Sequence, residues 1–148
     1  MIHRILIICL GNVCRSPTGE RLLQRALPDK QIVSAGLRAL AGYPAHPCAC
    51  QAAAAYGYSL ESHRAQQVTQ TLCHGVDLIL TMEKKHTEHL CAYWPELRGK
   101  IRLFGHWQNA AEMADPYGKS QEAFDQLFLL MQQAAKSWTE VLLGERKV

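Results

Sequence analysis

HRILIICLGNVCRSPTGE, residues 3–20, decides the fold. Ile5, Leu6, Ile7 and Ile8 form a short apolar run rich in β-branched residues, which predicts a strand buried on both faces. The run stops at Cys9, and a loop containing Gly11 and Asn12 follows. Beyond Arg15, Ser16 and Pro17, the residues Leu22, Leu23, Ala26 and Leu27 recur at helical spacing. Ser16 is the expected N-cap, and Pro17 is tolerated in a first helical turn. A cysteine thus leaves the carboxyl end of a strand, an arginine stands six residues later, and a helix N-terminus opens beneath both. That geometry suits holding a dianion over a thiolate.

Working outward, residues 30–36 (KQIVSAG) read as a second strand, and Gly42, Pro44 and Pro47 mark 38–47 as loop. Residues 48–56 favour a helix that Gly57 stops, and 59–72 predict a loop with a short helix. A third buried strand covers 76–82. An exposed helix over 83–93 is ended by Pro95, and a fourth strand covers 101–104. Residues 105–119 are irregular. Phe124, Leu127, Phe128, Met131, Ala135, Trp138 and Leu142 then form one stripe of helical period, read as core packing. The alternation predicts an α/β fold: a single-domain, doubly wound, four-stranded parallel sheet with helices on both faces. The Cys9 loop between the first strand and first helix, with its arginine and helix N-terminus, is then expected to be a phosphate-binding loop. One domain is expected to span 1–148. Ligands of such sheets bind outside the carboxyl ends of the strands, where Cys9 lies.

The 148 residues carry a net charge of +3 and seven histidines, with lysine and arginine scattered rather than clustered. Nucleic acid is therefore not an expected partner. Six cysteines in a chain that is 48% hydrophobic, with no signal-peptide pattern, suggest a reduced cytoplasmic protein rather than a disulfide framework. No apolar run approaches a membrane span, so no membrane insertion is expected.

Residues 9–16, Cys9-Leu10-Gly11-Asn12-Val13-Cys14-Arg15-Ser16, fit Cys-x5-Arg, and of the six cysteines only Cys9 has an arginine six positions on. A helix N-terminus and a nearby cation favour the ionised thiol. The backbone N–H groups of 10–15 can curl round an anion, and Arg15 offers a planar fork matching two phosphoryl oxygens. The Cys9 sulfur is then placed to attack phosphorus, and Ser16 to steady it as the leaving group of a second step. Expelling an alkoxide or phenolate needs a proton donor, and Asp115, held by Pro116 in the loop after the fourth strand, is the candidate. Taken singly, Cys9 fits a buried structural cysteine and Asp115 a turn-forming Asp-Pro; together they favour catalysis.

Read together, CLGNVCRSP at 9–17, SAG at 34–36, SH at 62–63, DLILTME at 77–83 and DPY at 115–117 resemble the low-molecular-weight protein tyrosine phosphatase family over nearly the whole chain. LTMEKKH at 80–86, RGK at 98–100 and LFGHW at 103–107 resemble its bacterial branch that accompanies exopolysaccharide tyrosine autokinases. The resemblance implies Cys9 as nucleophile forming a phosphocysteine, Arg15 as phosphate clamp and Asp115 as acid and then base. It implies Asn12, Ser16, Ser34 and His63 as loop-supporting residues, Asn12 in a left-handed conformation, and a phosphotyrosine protein, such as a tyrosine autokinase, as substrate. No cofactor or metal is implied. Leu40 stands where many eukaryotic members carry an aromatic, leaving Tyr117 as the clear aromatic wall of the substrate pocket. Gly19 replaces a usual alanine and Gln66 a frequent arginine. Cys14 reads as a loop cysteine packed beneath the site; a reversible Cys9–Cys14 disulfide is the sharper alternative.

Two competing readings share the loop. Arsenate reduction on a related fold needs two further thiols close together, whereas Cys73 and Cys91 flank the third strand. A non-catalytic phosphotyrosine-binding or redox module would not need Asp115. Neither the Cys48/Cys50 nor the His86/His89 spacing makes a recognised metal-ligand set; both histidines are expected on a solvated helix face.

Overall fold

The computed structural model describes residues 1–144; residues 145–148, which the single-domain expectation includes, lie outside the described residues. Four strands, β1 (Arg4–Cys9), β2 (Gln31–Gly36), β3 (Leu78–Thr81) and β4 (Ile101–Leu103), pair in parallel in the order β2-β1-β3-β4. The chain leaves β1 toward β2, then crosses back to place β3 on the other side of β1. The sheet therefore reverses beside β1, and such a reversal opens a crevice at the carboxyl ends of the strands.

Alternation along β1 distributes the core. Ile5, Ile7 and Cys9 join one buried cluster with α1 (Arg15–Ala26), α2 (Pro47–Ala54) and the long α5 (Gln121–Leu142). Leu6 and Ile8 join a second with Cys73 of α3 (Gln70–His74), Leu90 and Cys91 of α4 (Lys84–Tyr93), and Leu97 of the 3-10 helix Pro95–Lys100. Both faces of β1 are thus covered, as its unbroken apolar run requires. The α5 stripe packs against α1 and α2, and Trp138 Nε1 donates to the Phe104 carbonyl at 2.9 Å, tying α5 to the end of β4. Among the described residues no helix is long and apolar enough to cross a membrane.

Three local expectations are corrected. Helix α1 begins at Arg15 with Cys14 as N-cap, so Ser16 lies inside the first turn, and no side chain caps this end. The Ser16 hydroxyl is already committed to Cys9 and Asn12. Pro17 remains within the first turn, where its missing N–H costs nothing. Helix α4 is not simply exposed, since His86, Leu90 and Cys91 are buried. The third strand is shorter than its apolar run: Val76 and Met82 are buried but lie outside the ladder.

Candidate active site

The loop from Cys9 to Arg15 is built so that its carbonyls face outward. Leu37, Arg38 and Leu40 donate backbone N–H groups to the carbonyls of Cys9, Leu10 and Gly11 at 3.0, 2.9 and 3.1 Å. His63 Nε2 meets the Asn12 carbonyl at 2.6 Å, and because a carbonyl cannot donate, the proton sits on that nitrogen. His46 N–H donates to the Val13 carbonyl at 2.7 Å, and Thr18 Oγ1 to that of Cys14 at 2.8 Å. Six consecutive carbonyls are therefore satisfied from outside. Among the described residues no acceptor takes the backbone N–H groups of Gly11, Asn12, Val13 or Cys14. A loop wired this way leaves its donors to an anion, with the N-terminus of α1 reinforcing them.

Asn12 is the keystone of that wiring. It sits fully buried at φ 58°, a left-handed conformation that asparagine tolerates. Its Nδ2 donates to Ser16 Oγ at 2.7 Å and Ser34 Oγ at 2.9 Å, while Oδ1 accepts the Gln66 N–H at 2.8 Å. Gln66 Nε2 also donates to the Ser34 carbonyl, so this position braces the loop without an arginine. The Ser16 hydroxyl lies 2.9 Å from Cys9 Sγ. The four expected loop supports, Asn12, Ser16, Ser34 and His63, thus meet in one network.

Arg15 is 2% exposed, and a guanidinium so buried needs a counter-charge. Its Nη1 donates to Glu83 Oε2 at 2.6 Å and to the Met113 carbonyl at 2.8 Å, and its Nη2 lies 3.6 Å from Asp115 Oδ2. Burial pushes the Glu83 carboxyl up, but the Arg15 hydrogen bond and charge outweigh it and hold Glu83 below its ordinary value. His86 stands beneath: Nδ1 accepts the Glu83 N–H at 3.2 Å, and Nε2 lies 3.4 Å from Glu83 Oε2. Burial, then the Arg15 charge, lowers His86 to about 4, so its imidazole is neutral with the proton on Nε2. The expectation of a solvated His86 is therefore wrong: the ring is 2% exposed.

Cys9, Leu10, Gly11, Val13, Cys14, Arg15, Arg38, Leu40, Asp115 and Tyr117 together line a cleft of about 230 Å³. Both expected wall residues, Leu40 and Tyr117, are among them. Asp115 Oδ1 accepts the Tyr117 N–H at 3.0 Å, an Asx turn that orients carboxylate and ring together. The His46 ring stacks on Phe124 and meets Tyr117 edge-on, backing that wall. Cys14 is buried, and burial, then its closeness to the Cys9 sulfur, pushes its thiol up to about 12. All six cysteines are free, and among the described residues no group of three or more His, Cys, Asp or Glu side chains could hold a metal.

Sequence reasoning missed Glu83, His86, His46, Met113 and Gly36. A Cβ on Gly36 would stand 2.6 Å from the Leu10 carbonyl oxygen and 3.0 Å from Asn12 N, so only glycine lets the end of β2 lie against the loop. The Ser-Ala-Gly and Met-Glu stretches were visible as motif residues, yet nothing in their spacing revealed what they touch.

Residues 4–148 match the family model described as low molecular weight phosphotyrosine protein phosphatase. The low molecular weight protein-tyrosine-phosphatase Wzb of Escherichia coli K12 is 51% identical over 146 residues, 99% of each chain. Among solved structures, Wzb of Escherichia coli K30 in complex with sulphate superimposes with a TM-score of 0.94 at 48% identity, covering 96% of this chain and 99% of that one. Vibrio vulnificus Wzb in complex with benzylphosphonate gives 0.92 at 45% identity, covering 95% and 99%.

Proposed function

The chain belongs to the low molecular weight phosphotyrosine protein phosphatase family, and from that premise we propose that Cys9, Arg15 and Asp115 hydrolyse protein phosphotyrosine through a phosphocysteine. The observation that carries this reading is the outward wiring of every carbonyl from Cys9 to Cys14, which leaves a ring of N–H donors around the space above Cys9 Sγ. Bound phosphoryl oxygens take those donors and Arg15 Nη2, while Glu83 and Met113 hold Nη1 and fix the guanidinium plane.

The Cys9 sulfur attacks phosphorus in line with the bond to the phenol. As that bond breaks, Asp115 gives its proton to the departing oxygen. Asp115, now a carboxylate, takes a proton from water whose oxygen attacks the phosphocysteine. The P–S bond breaks, inorganic phosphate leaves, and the Ser16 hydroxyl 2.9 Å away steadies the departing sulfur. Donors fixed before the reaction stabilise charge at little reorganisation cost.

The aryl specificity rests on shape. Leu40 and Tyr117 wall the cleft with Cys9 at its floor, so a phosphate on a long aromatic arm reaches the sulfur and one on a serine does not. Solved relatives holding sulphate and benzylphosphonate, a phosphonate on an aromatic arm, support this. The substrate we assign is the tyrosine-phosphorylated segment of a tyrosine autokinase in exopolysaccharide production, with the cytoplasm as the place of action. Turnover of phosphotyrosine and phosphoserine peptides by wild type and Cys9→Ser tests the assignment. Release of phosphate from phosphotyrosine alone, abolished in Cys9→Ser, is expected; equal turnover of both peptides would contradict it.

A further inference from the structure

The cleft holds a second cation that the chemistry leaves unused. Arg38 lines it beside Leu40, on a wall that Asp115 and Tyr117 do not share in sequence. Its backbone is fixed from both sides. Leu37, Arg38 and Leu40 are stapled to the carbonyls of the anion loop, and Gln67 accepts the Ala39 N–H at 3.0 Å while donating to the Leu37 carbonyl at 2.8 Å. The Arg38 Cα therefore keeps a set position relative to Cys9.

The guanidinium itself is exposed and has no partner among the described residues. Of the arginines at positions 1–144, only Arg21 also lacks a partner, and it is half-buried and lies outside the cleft. The one acidic side chain lining the cleft, Asp115, faces Arg15 at 3.6 Å. With Arg15 taken by the phosphate and by Glu83, the positive charge of Arg38 at the mouth stands uncompensated.

We propose that Arg38 forms a subsite for an anionic group flanking the phosphotyrosine, so that the preferred substrate carries a carboxylate or a second phosphate monoester beside the target residue. This rests on the phosphatase reading of the same cleft. Because the contact is solvent-exposed, a carboxylate gains only roughly 2- to 5-fold in kcat/KM. A phosphate, able to take the guanidinium fork with two oxygens, gains more. Both gains shrink at high salt.

The test compares kcat/KM for four phosphotyrosine peptides of equal length, flanked by alanine, glutamate, phosphoserine or lysine, in wild type, Arg38→Gln and Arg38→Glu. Wild type is expected to favour the glutamate and phosphoserine peptides over the alanine peptide. Arg38→Gln should level that ratio, and Arg38→Glu should turn the preference toward lysine. A preference confined to the phosphoserine peptide supports the subsite and assigns it to phosphate monoesters. Equal wild-type values for all peptides, or a preference that survives in Arg38→Gln, overturns the inference and leaves the phosphatase reading intact. Absence of turnover on every peptide, the alanine one included, overturns the phosphatase reading instead.

Discussion

Arg15 shows what a clamp residue requires of its neighbours. A guanidinium with 2% exposure persists because Glu83 supplies charge and Met113 a carbonyl, both through Nη1, which leaves Nη2 for the phosphate of the proposed mechanism. Asp115, on the loop after β4, is the proton donor of the proposed chemistry. Asp115→Ala is expected to slow esters of poor leaving groups by about 10²–10⁴-fold and nitrophenyl esters far less, since only the former need a proton. Equal slowing of both would demote Asp115 to a structural residue. His86 adds a stability signature. The unfolded chain binds its proton near 6.5 and the folded chain only near 4, so stability falls as pH drops through that window, by at most about 3 kcal/mol. His86→Gln keeps an acceptor for the Glu83 N–H but cannot titrate. Urea unfolding of the two proteins between neutral pH and about 4 should show a shallower decline in the variant; parallel curves would refute the assignment.

At the scale of elements, the anion loop depends on the end of β2 as much as on its own residues. Gly36→Ala would drive a methyl into the Leu10 carbonyl and the Asn12 amide. Overpacking of this kind costs about 1–3 kcal/mol, and a displaced catalytic loop can lose on the order of 10² in rate. Circular dichroism should report a folded protein while kcat falls; unchanged kcat would show that the loop tolerates displacement. The strand, loop and helix of residues 3–20 were legible because a β-branched run, a glycine loop and a helical apolar stripe follow one another with little ambiguity. The start of α1 was not, because Ser16 has cap chemistry but spends its hydroxyl on Cys9 and Asn12. Helix α4 was misjudged for a related reason. Its buried face includes a histidine, and its N-terminus is closed by a Glu83–His86 capping box rather than by a serine or threonine with a glutamate.

For the whole molecule, parallel pairing and two covered faces followed from alternating elements, but the order β2-β1-β3-β4 is a long-range outcome that no local pattern encodes. That order sets the Cys9 loop at the reversal of the sheet. It also lets segments 83, 113–117, 37–40 and 63–66 converge on the loop from four separate connections. The cleft is consequently assembled by the fold, while the proposed nucleophile and phosphate clamp were visible in a single eight-residue motif and the proposed acid only in a separate Asp-Pro-Tyr. The central claim is that phosphorus passes through a covalent bond to Cys9. Its most direct test is the intact mass of the Asp115→Asn variant, quenched during turnover of nitrophenyl phosphate and mapped by peptide. Nitrophenolate leaves without a proton donor, so the first step survives in this variant while the base for the second step is lost. One phosphoryl group on the peptide containing Cys9, absent from the Cys9→Ser protein, is the expected result. Continued turnover with no phosphoryl group on that peptide would contradict it.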